Sequence, residues 1–283
     1  MCRIHLILVF FIFSLTACIP QRAYYLSPGN ANSEPYHPMR LASDSIPSAV
    51  YMNLVYTIGS ANQLGTDQVS MGHFSIHRSN HFGIFQAYYG TDISLGAYKV
   101  GNFENSHYRN APEWLQQPLP YDTIYHVPGK GEFVGSYGIS GGINIVKKLP
   151  RGEWRALGFE TSIQKEFGNY LRFRKNLPDS AANIIFRKPI TVTMGFYTDC
   201  IWQNRHKVIF GFKFSGGMIV NSGRDYTKTE TDPNFPANNI FPITYFSITY
   251  HMTRDPVTGF IQFNFGTYAD SFQVGFSYRL GRK

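Results

Sequence analysis

Charge is scarce in this chain. Only 16% of its 283 residues are Asp, Glu, Lys or Arg, against about 25% in an ordinary soluble domain, which disfavours a cytosolic enzyme with a solvated surface. Cysteine is scarcer still: Cys2, Cys18 and Cys200 are all there is, too few for a disulfide framework. No segment of useful length has the 3.6-residue period of an amphipathic helix. The apolar run at residues 4–13 is shorter than the roughly 20 residues that a helical membrane span needs. Catalytic motifs are missing too: the chain contains no Gly-x-Ser-x-Gly elbow, phosphate loop or His-Glu-x-x-His pair. Rings and glycine are abundant instead, with 24 Phe, 19 Tyr and 26 Gly.

The end of the chain leaves the fewest readings open. Ile261, Phe263, Phe265 and Thr267 alternate with Phe260, Gln262, Asn264 and Gly266; then Phe272, Val274, Phe276, Tyr278 and Leu280 alternate with Gln273, Gly275, Ser277 and Arg279. Successive strand side chains point to opposite faces, so this is an antiparallel hairpin with one aromatic face and one polar or small face. A sheet with lipid outside and a polar lumen inside has this pattern. Ile261, Phe263, Phe265, Phe272, Val274, Phe276 and Tyr278 are therefore expected to face lipid, and lumen positions such as Asn264 to accept an arginine. A soluble sheet packed on a core would also suit the alternation.

The first residues read as an export signal: Arg3 supplies a positive start, residues 4–13 an apolar stretch, and Leu15, Thr16 and Ala17 lead to Cys18. Leu15-Thr16-Ala17-Cys18 resembles the bacterial lipobox. The resemblance implies that residues 1–17 are a cleaved lipoprotein signal peptide and that Cys18 becomes an acylated, palmitate-type N-terminus. Cleavage removes Arg3 alone among the charged residues, taking the formal charge from +8 to +7. The remaining Lys and Arg are scattered and the chain is exported, so anionic lipid headgroups are a better counter-charge than nucleic acid.

Residues 18–48 read as a lipid-anchored tether. Pro20, Pro28, Pro35, Pro38 and Pro47 prevent a continuous strand or helix. Tyr24, Tyr25, Leu26 and Tyr36 give this leash side chains with which to dock on or inside the domain that follows, residues 49–283. Period-two stretches then recur to the end of the chain. They include residues 50–58, 69–78, 82–89, 92–100, 137–145, 157–166, 190–198, 207–220 and 241–252. Turn signals such as Leu149-Pro150-Arg151-Gly152 separate them. The tally is about eleven, and single-chain bacterial barrels have even counts, so ten or twelve strands are expected. The uncertain stretches are residues 154–175, one strand or two, and residues 82–100. The fold class is thus all-β: an antiparallel up-and-down β-barrel behind an extended lipidated tether.

The lipobox, the Tyr25-x-x-Pro28 tether, the turn Arg78-Ser79-Asn80-His81-Phe82-Gly83-Ile84, the glycine-rich residues 135–146 and the closing Gly275-Phe276-Ser277-Tyr278-Arg279-Leu280 are similar to a family of small outer-membrane barrel lipoproteins of the Bacteroidetes. The resemblance covers most of the mature chain and implies a barrel in the outer membrane. It supplies no catalytic residues. The chain departs from bacterial barrels generally in ending on Gly281-Arg282-Lys283 after Leu280, where an aromatic residue is usual.

Candidate chemistry was weighed against ordinary structural roles. His73, His77 and His81 share one strand face, but they span about 27 Å on an extended strand, so a common metal is not expected and they read as lumen or interface histidines. Glu160, Ser162, Gln164 and Glu166 also share a face, with Arg172 and Arg174 downstream. Carboxylates about 5 to 9.5 Å apart can do acid and base work, yet facing cations would make them lumen ion pairs. Ser140-Gly141-Gly142 and Ser215-Gly216-Gly217 read as bends or bulges in a closing sheet. Trp154 and Trp202, near strand ends, suit headgroup anchoring.

Residues 102–130 and 221–240 break the strand rhythm and are long, polar and Pro-bearing. Trp114 and Tyr121 in the first, with Tyr226 and Phe235 in the second, make these loops candidate surfaces for a protein or glycan partner. The expected function is a non-enzymatic outer-membrane β-barrel lipoprotein with an envelope structural or narrow-pore role. The alternative is a periplasm-facing, lipid-anchored barrel or sandwich that binds an apolar ligand. No cofactor is expected.

Overall fold

Two-residue alternation buries one face of every strand, and a sheet with this pattern throughout can leave no unpaired edge inside a membrane or a core. The chain solves this by closure. The computed structural model describes residues 24–28, 34–41, 47–61, 67–101, 103–104, 126–178, 184–220, 243–266 and 269–281. Ten strands form the barrel: β1 Ser48–Ala61, β2 Asp67–Phe82, β3 Phe85–Val100, β4 Lys130–Leu149, β5 Gly152–Gly168, β6 Ile190–Gln203, β7 Ile209–Ile219, β8 Thr244–Arg254, β9 Val257–Gly266 and β10 Ala269–Leu280. Each pairs antiparallel with the next, and β10 returns to β1 in a register running from Ala269↔Ala61 to Leu280↔Val50. The barrel is therefore up-and-down and closed.

Both doubtful stretches resolve in favour of fewer strands. Residues 82–100, which read as a hairpin broken at Gly90-Thr91, are the last residue of β2, the turn after it and the single strand β3. Gly90 is no turn. It pairs with His77, and a Cβ there would sit 2.6 Å from the Cβ of His77, so the missing side chain makes room on the inner wall. Residues 154–175 are β5 followed by a helix, α1 Asn169–Asn176, where only strand was expected. Gly168, with φ +117, breaks the strand. Tyr170, Leu171 and Arg174 then turn inward on consecutive helical turns. One buried turn and a half leaves too short a stripe for a helical period to be read, and Tyr170, Arg172 and Arg174 continue the strand alternation by coincidence. Among the described residues no helix is long and apolar enough to cross a membrane, which says nothing about strands.

The two ends of the barrel differ. At one end the strands are joined by short turns: Gly83-Ile84, Pro150-Arg151, residues 204–208 and Asp255-Pro256. Pro47, just before β1, lies at this end, where its carbonyl accepts from the His81 amide at 2.8 Å. The opposite end carries the long connections, between β3 and β4, β5 and β6, and β7 and β8. The first of these continues as a two-residue ladder, Phe103↔Val127 and Glu104↔His126; the second contains α1.

Outward side chains are apolar on every strand, as with Leu54, Phe74, Ile93, Ile139, Ile163, Phe196, Phe214, Phe246, Phe263 and Phe276, all exposed. Inward ones are mostly polar and buried. The alternation slips once. Between Ile145↔Leu157 and Val146↔Arg155, β5 carries an extra residue, and its pairing with β6 is irregular at the same level, between Tyr197 and Asp199. Such a bulge moves the side chains beyond it to the other face. Glu160 and Glu166 point inward at even positions; beyond the bulge, Arg155 and Glu153 do so at odd ones.

Candidate functional site in the barrel lumen

An eight-stranded barrel can be filled by its own side chains, and adding strands widens the interior. Here a segment of the same chain occupies the added space. Residues 24–28 and 34–41, expected as a leash with the option of docking, run down the lumen from the long-connection end to the short-turn end.

At the long-connection end, Tyr24–Tyr25 pairs in parallel with Ile184–Ile185, and the Phe186 amide donates to the Tyr25 carbonyl at 2.9 Å. The Tyr25 ring is buried among Val69, Tyr98, Val100, Val134, Tyr170 and Ile185, with Phe173 edge-on at 5.7 Å. Tyr170 of α1 stacks on Tyr98 at 3.8 Å, and the Tyr98 hydroxyl donates to Asp67 at 2.8 Å. Arg174 bridges Glu166 at 2.5 Å and donates to the Phe186 carbonyl at 2.7 Å. The helix thus serves as a lid that clamps the top of the segment.

In the middle of the barrel, Gln262 donates to the Glu34 carbonyl at 3.0 Å and Gln164 to its carboxylate at 3.1 Å. Lys213 pairs with Glu160 at 2.5 Å and lies over the Tyr197 ring at 4.3 Å. Lower down, Tyr36 stacks on His251 at 4.4 Å with Phe260 at 5.6 Å, and His37 stacks on Tyr88 at 4.9 Å. The His77 ring nitrogen Nε2 donates to the Pro38 carbonyl at 2.9 Å. Arg155 then holds three groups at once: Glu153 and Asp199, each at 2.9 Å, and the Met39 carbonyl at 3.1 Å. Asp199 reaches on to His251 at 3.0 Å. Gln86 donates to the Arg40 carbonyl, toward the short-turn end where β1 begins.

The candidate chemistry resolves into this packing. His73 bonds Thr57 at 2.7 Å and Ser94 at 2.6 Å, whereas His77 holds the strap. Among the described residues no three His, Cys, Asp or Glu side chains are grouped to hold a metal. Glu160 and Glu166 are committed to Lys213 and Arg174. In each glycine pair expected as a bend, one glycine seats a ring. A Cβ on Gly142 would lie 2.5 Å from the Tyr88 ring, and one on Gly217 would lie 2.5 Å from the Tyr245 hydroxyl. Trp154 and Trp202 point outward at the short-turn end, Trp154 donating to Thr198 at 2.9 Å. An apolar ligand inside the barrel, required by the alternative reading, would meet an inner face that is mostly polar and a lumen already occupied.

All seven residues expected to face lipid lie on the outer side of β9 and β10; six are exposed, and Phe272 is half-buried against Phe263 at 5.1 Å. Asn264, by contrast, is no open lumen position. It is 1% exposed, accepts from Gln262 at 2.8 Å and donates to Ser271 at 2.9 Å, so an arginine has no space there. Leu15, Thr16, Ala17, Cys18, Trp114, Tyr121, Tyr226 and Phe235 lie outside the described residues. Sequence reasoning missed Glu34, His37, Arg155, Asp199, Lys213 and His251. The rings of the Pro-rich segment were the one legible signal; nothing in the pattern announced the bulge that turns Arg155 inward.

No protein-family model and no curated protein matches the chain. Among solved structures it is similar to the translocator domain of the autotransporter NalP from Neisseria meningitidis, with 13% identity over 85% of this chain and 91% of that one and a TM-score of 0.38. The beta domain of the Bordetella autotransporter BrkA gives 7% identity, 82% and 99% coverage and a TM-score of 0.37. The NanC porin gives 11%, 82% and 100%, and 0.32. At such scores these likenesses carry no functional weight. The closed strand register of this chain itself defines its class, an antiparallel ten-stranded β-barrel.

Proposed function

We propose that the chain is a non-enzymatic outer-membrane β-barrel lipoprotein, closed by its own N-terminal strap, with a structural role in the envelope. The outward apolar belt supports the membrane setting, because a soluble barrel of this size would expose far more apolar surface than monomers tolerate. The Leu15-Thr16-Ala17-Cys18 motif, and the similarity to Bacteroidetes barrel lipoproteins, support the lipid anchor. The observation that carries the role is the occupied lumen: Glu34, Tyr36, His37 and Met39 are each tied to the inner wall. A barrel stoppered in this way holds position and presents its loops; it does not conduct.

Planar-bilayer recording tests this. The full mature protein gives no steady open-channel current, whereas removal of residues 24–41 gives stepwise conductance. Should that deletion fail to fold, the paired change Tyr36→Ala and His37→Ala, which loosens the strap and leaves the wall intact, gives flickering openings. A steady conductance from the full mature chain overturns the closed-barrel reading.

A further inference from the structure

The direction of the strap fixes where the start of the mature chain must lie. Tyr25 is at the long-connection end, packed on Tyr98, Tyr170 and Ile185, and the Arg40 carbonyl is near the short-turn end, tied to Gln86. Tyr98 and Gln86 belong to the same strand, β3, and stand about 40 Å apart along it at ~3.4 Å per residue. With a strand tilt of about 45° that is on the order of the 30 Å hydrocarbon thickness. The strap therefore crosses the full depth of the barrel before β1 begins.

Cys18 precedes Tyr24 by six positions, a reach of at most about 20 Å. That is less than the depth just crossed, and the lumen through which the chain would have to double back is filled. From these lengths we infer that the acyl chains on Cys18 enter the lipid leaflet at the long-connection end of the barrel, opposite the turns that join β2 to β3, β4 to β5, β6 to β7 and β8 to β9. The partner is a lipid surface. The inference rests on the lipoprotein reading above and goes beyond it, because an anchor on a free leash would enter the leaflet on the short-turn side, where β1 starts. In bacterial barrels the short turns face the periplasm and the long connections face outside. The anchor then sits in the outer leaflet, with the polypeptide threaded through the barrel that it anchors.

Membrane-impermeant maleimide labelling of single cysteines in intact and permeabilised cells tests this. Cys2→Ser and Cys200→Ala form the background, and the Cys18 thiol is blocked by the thioether to its diacylglycerol. Gln21→Cys is expected to label as Thr229→Cys in the β7–β8 connection does, on intact cells, while Lys207→Cys in the β6–β7 turn labels only after permeabilisation. If Gln21 and Thr229 are both protected and Lys207 is labelled, the barrel is inverted in the membrane and the inference about the end still stands. Gln21 labelling together with Lys207 and apart from Thr229 overturns it. Two controls separate this inference from its premises. Radiolabelled palmitate is incorporated by the wild type and lost in Cys18→Ser, and its absence from the wild type overturns the lipoprotein reading and the anchor with it. A disulfide between Glu34→Cys and Gln262→Cys, read as an oxidation-dependent gel shift, forms if the strap lies in the lumen and fails to form if it does not.

Discussion

The two faces of one hairpin are built on opposite terms. Phe263 and Asn264 are neighbours in β9, yet Phe263 is 45% exposed and Asn264 is 1% exposed. Outside, side chains touch one another loosely, as Phe263 and Phe272 do, and any apolar residue of suitable size would serve. Inside, side chains are held by particular partners, as Asn264 is by Gln262 and Ser271, Lys213 by Glu160 and Tyr36 by His251. The outer face is specified by composition and the inner face by individual partners.

Substitutions at Arg155 should separate the faces most sharply. Arg155→Met removes the only cation that the described residues show bridging Glu153 and Asp199, and it releases the Met39 carbonyl. Breaking a buried pair from one side costs about 3 to 5 kcal/mol, so the midpoint for urea unfolding in detergent should fall steeply and the strap should become accessible to protease. An unchanged midpoint would mean that water, not the strap, fills this level of the lumen.

On the outer face, Phe263→Arg places a charge at the level of the barrel belt and should cost roughly 2 to 4 kcal/mol of insertion stability if lipid lies there. Folding into vesicles, followed by the heat-dependent gel shift of the intact barrel, measures it. Phe263→Leu should be nearly silent. Asn264→Arg, which the bare alternation would tolerate, should now be as harmful as the outer change, because Asn264 is enclosed by Gln262 and Ser271. Tolerance of Asn264→Arg would show that the inner wall yields.

The smallest effect belongs to the rim. Arg279 and Asp255 pair at 2.5 Å, with the Asp255 side chain 49% exposed. An exposed pair is worth about 0 to 1 kcal/mol and weakens with salt. Arg279→Ala should shift the unfolding midpoint barely, and the shift should vanish at high ionic strength.

Most of the barrel was legible because its signal is local and repeated. Residues 260–280 announce a hairpin with an aromatic face, and the same period marks each of the other strands. The count was left between ten and twelve for equally local reasons: Gly90 looks like a turn when read alone, and Tyr170, Arg172 and Arg174 look like strand. Each was decided by what packs beside it, His77 in the first case and the strap beneath α1 in the second. The lumen was far less legible. Tyr25 and Tyr36 hinted that the Pro-rich segment docks, but its partners Tyr98, Gln262, His251 and Arg155 are far away in the chain.

The sequence by itself determined the closed sheet and which side of it is apolar, because strand alternation follows from backbone geometry at each residue. Only the tertiary structure decided that residues 24–28 and 34–41 fill the lumen, and that Tyr25 lies at the opposite end of the barrel from the start of β1. Those outcomes depend on the diameter left by ten strands, on one extra residue in β5 and on contacts between segments more than a hundred residues apart, such as Arg155 with Met39 and Gln262 with Glu34, none of which leaves a periodic mark on the chain.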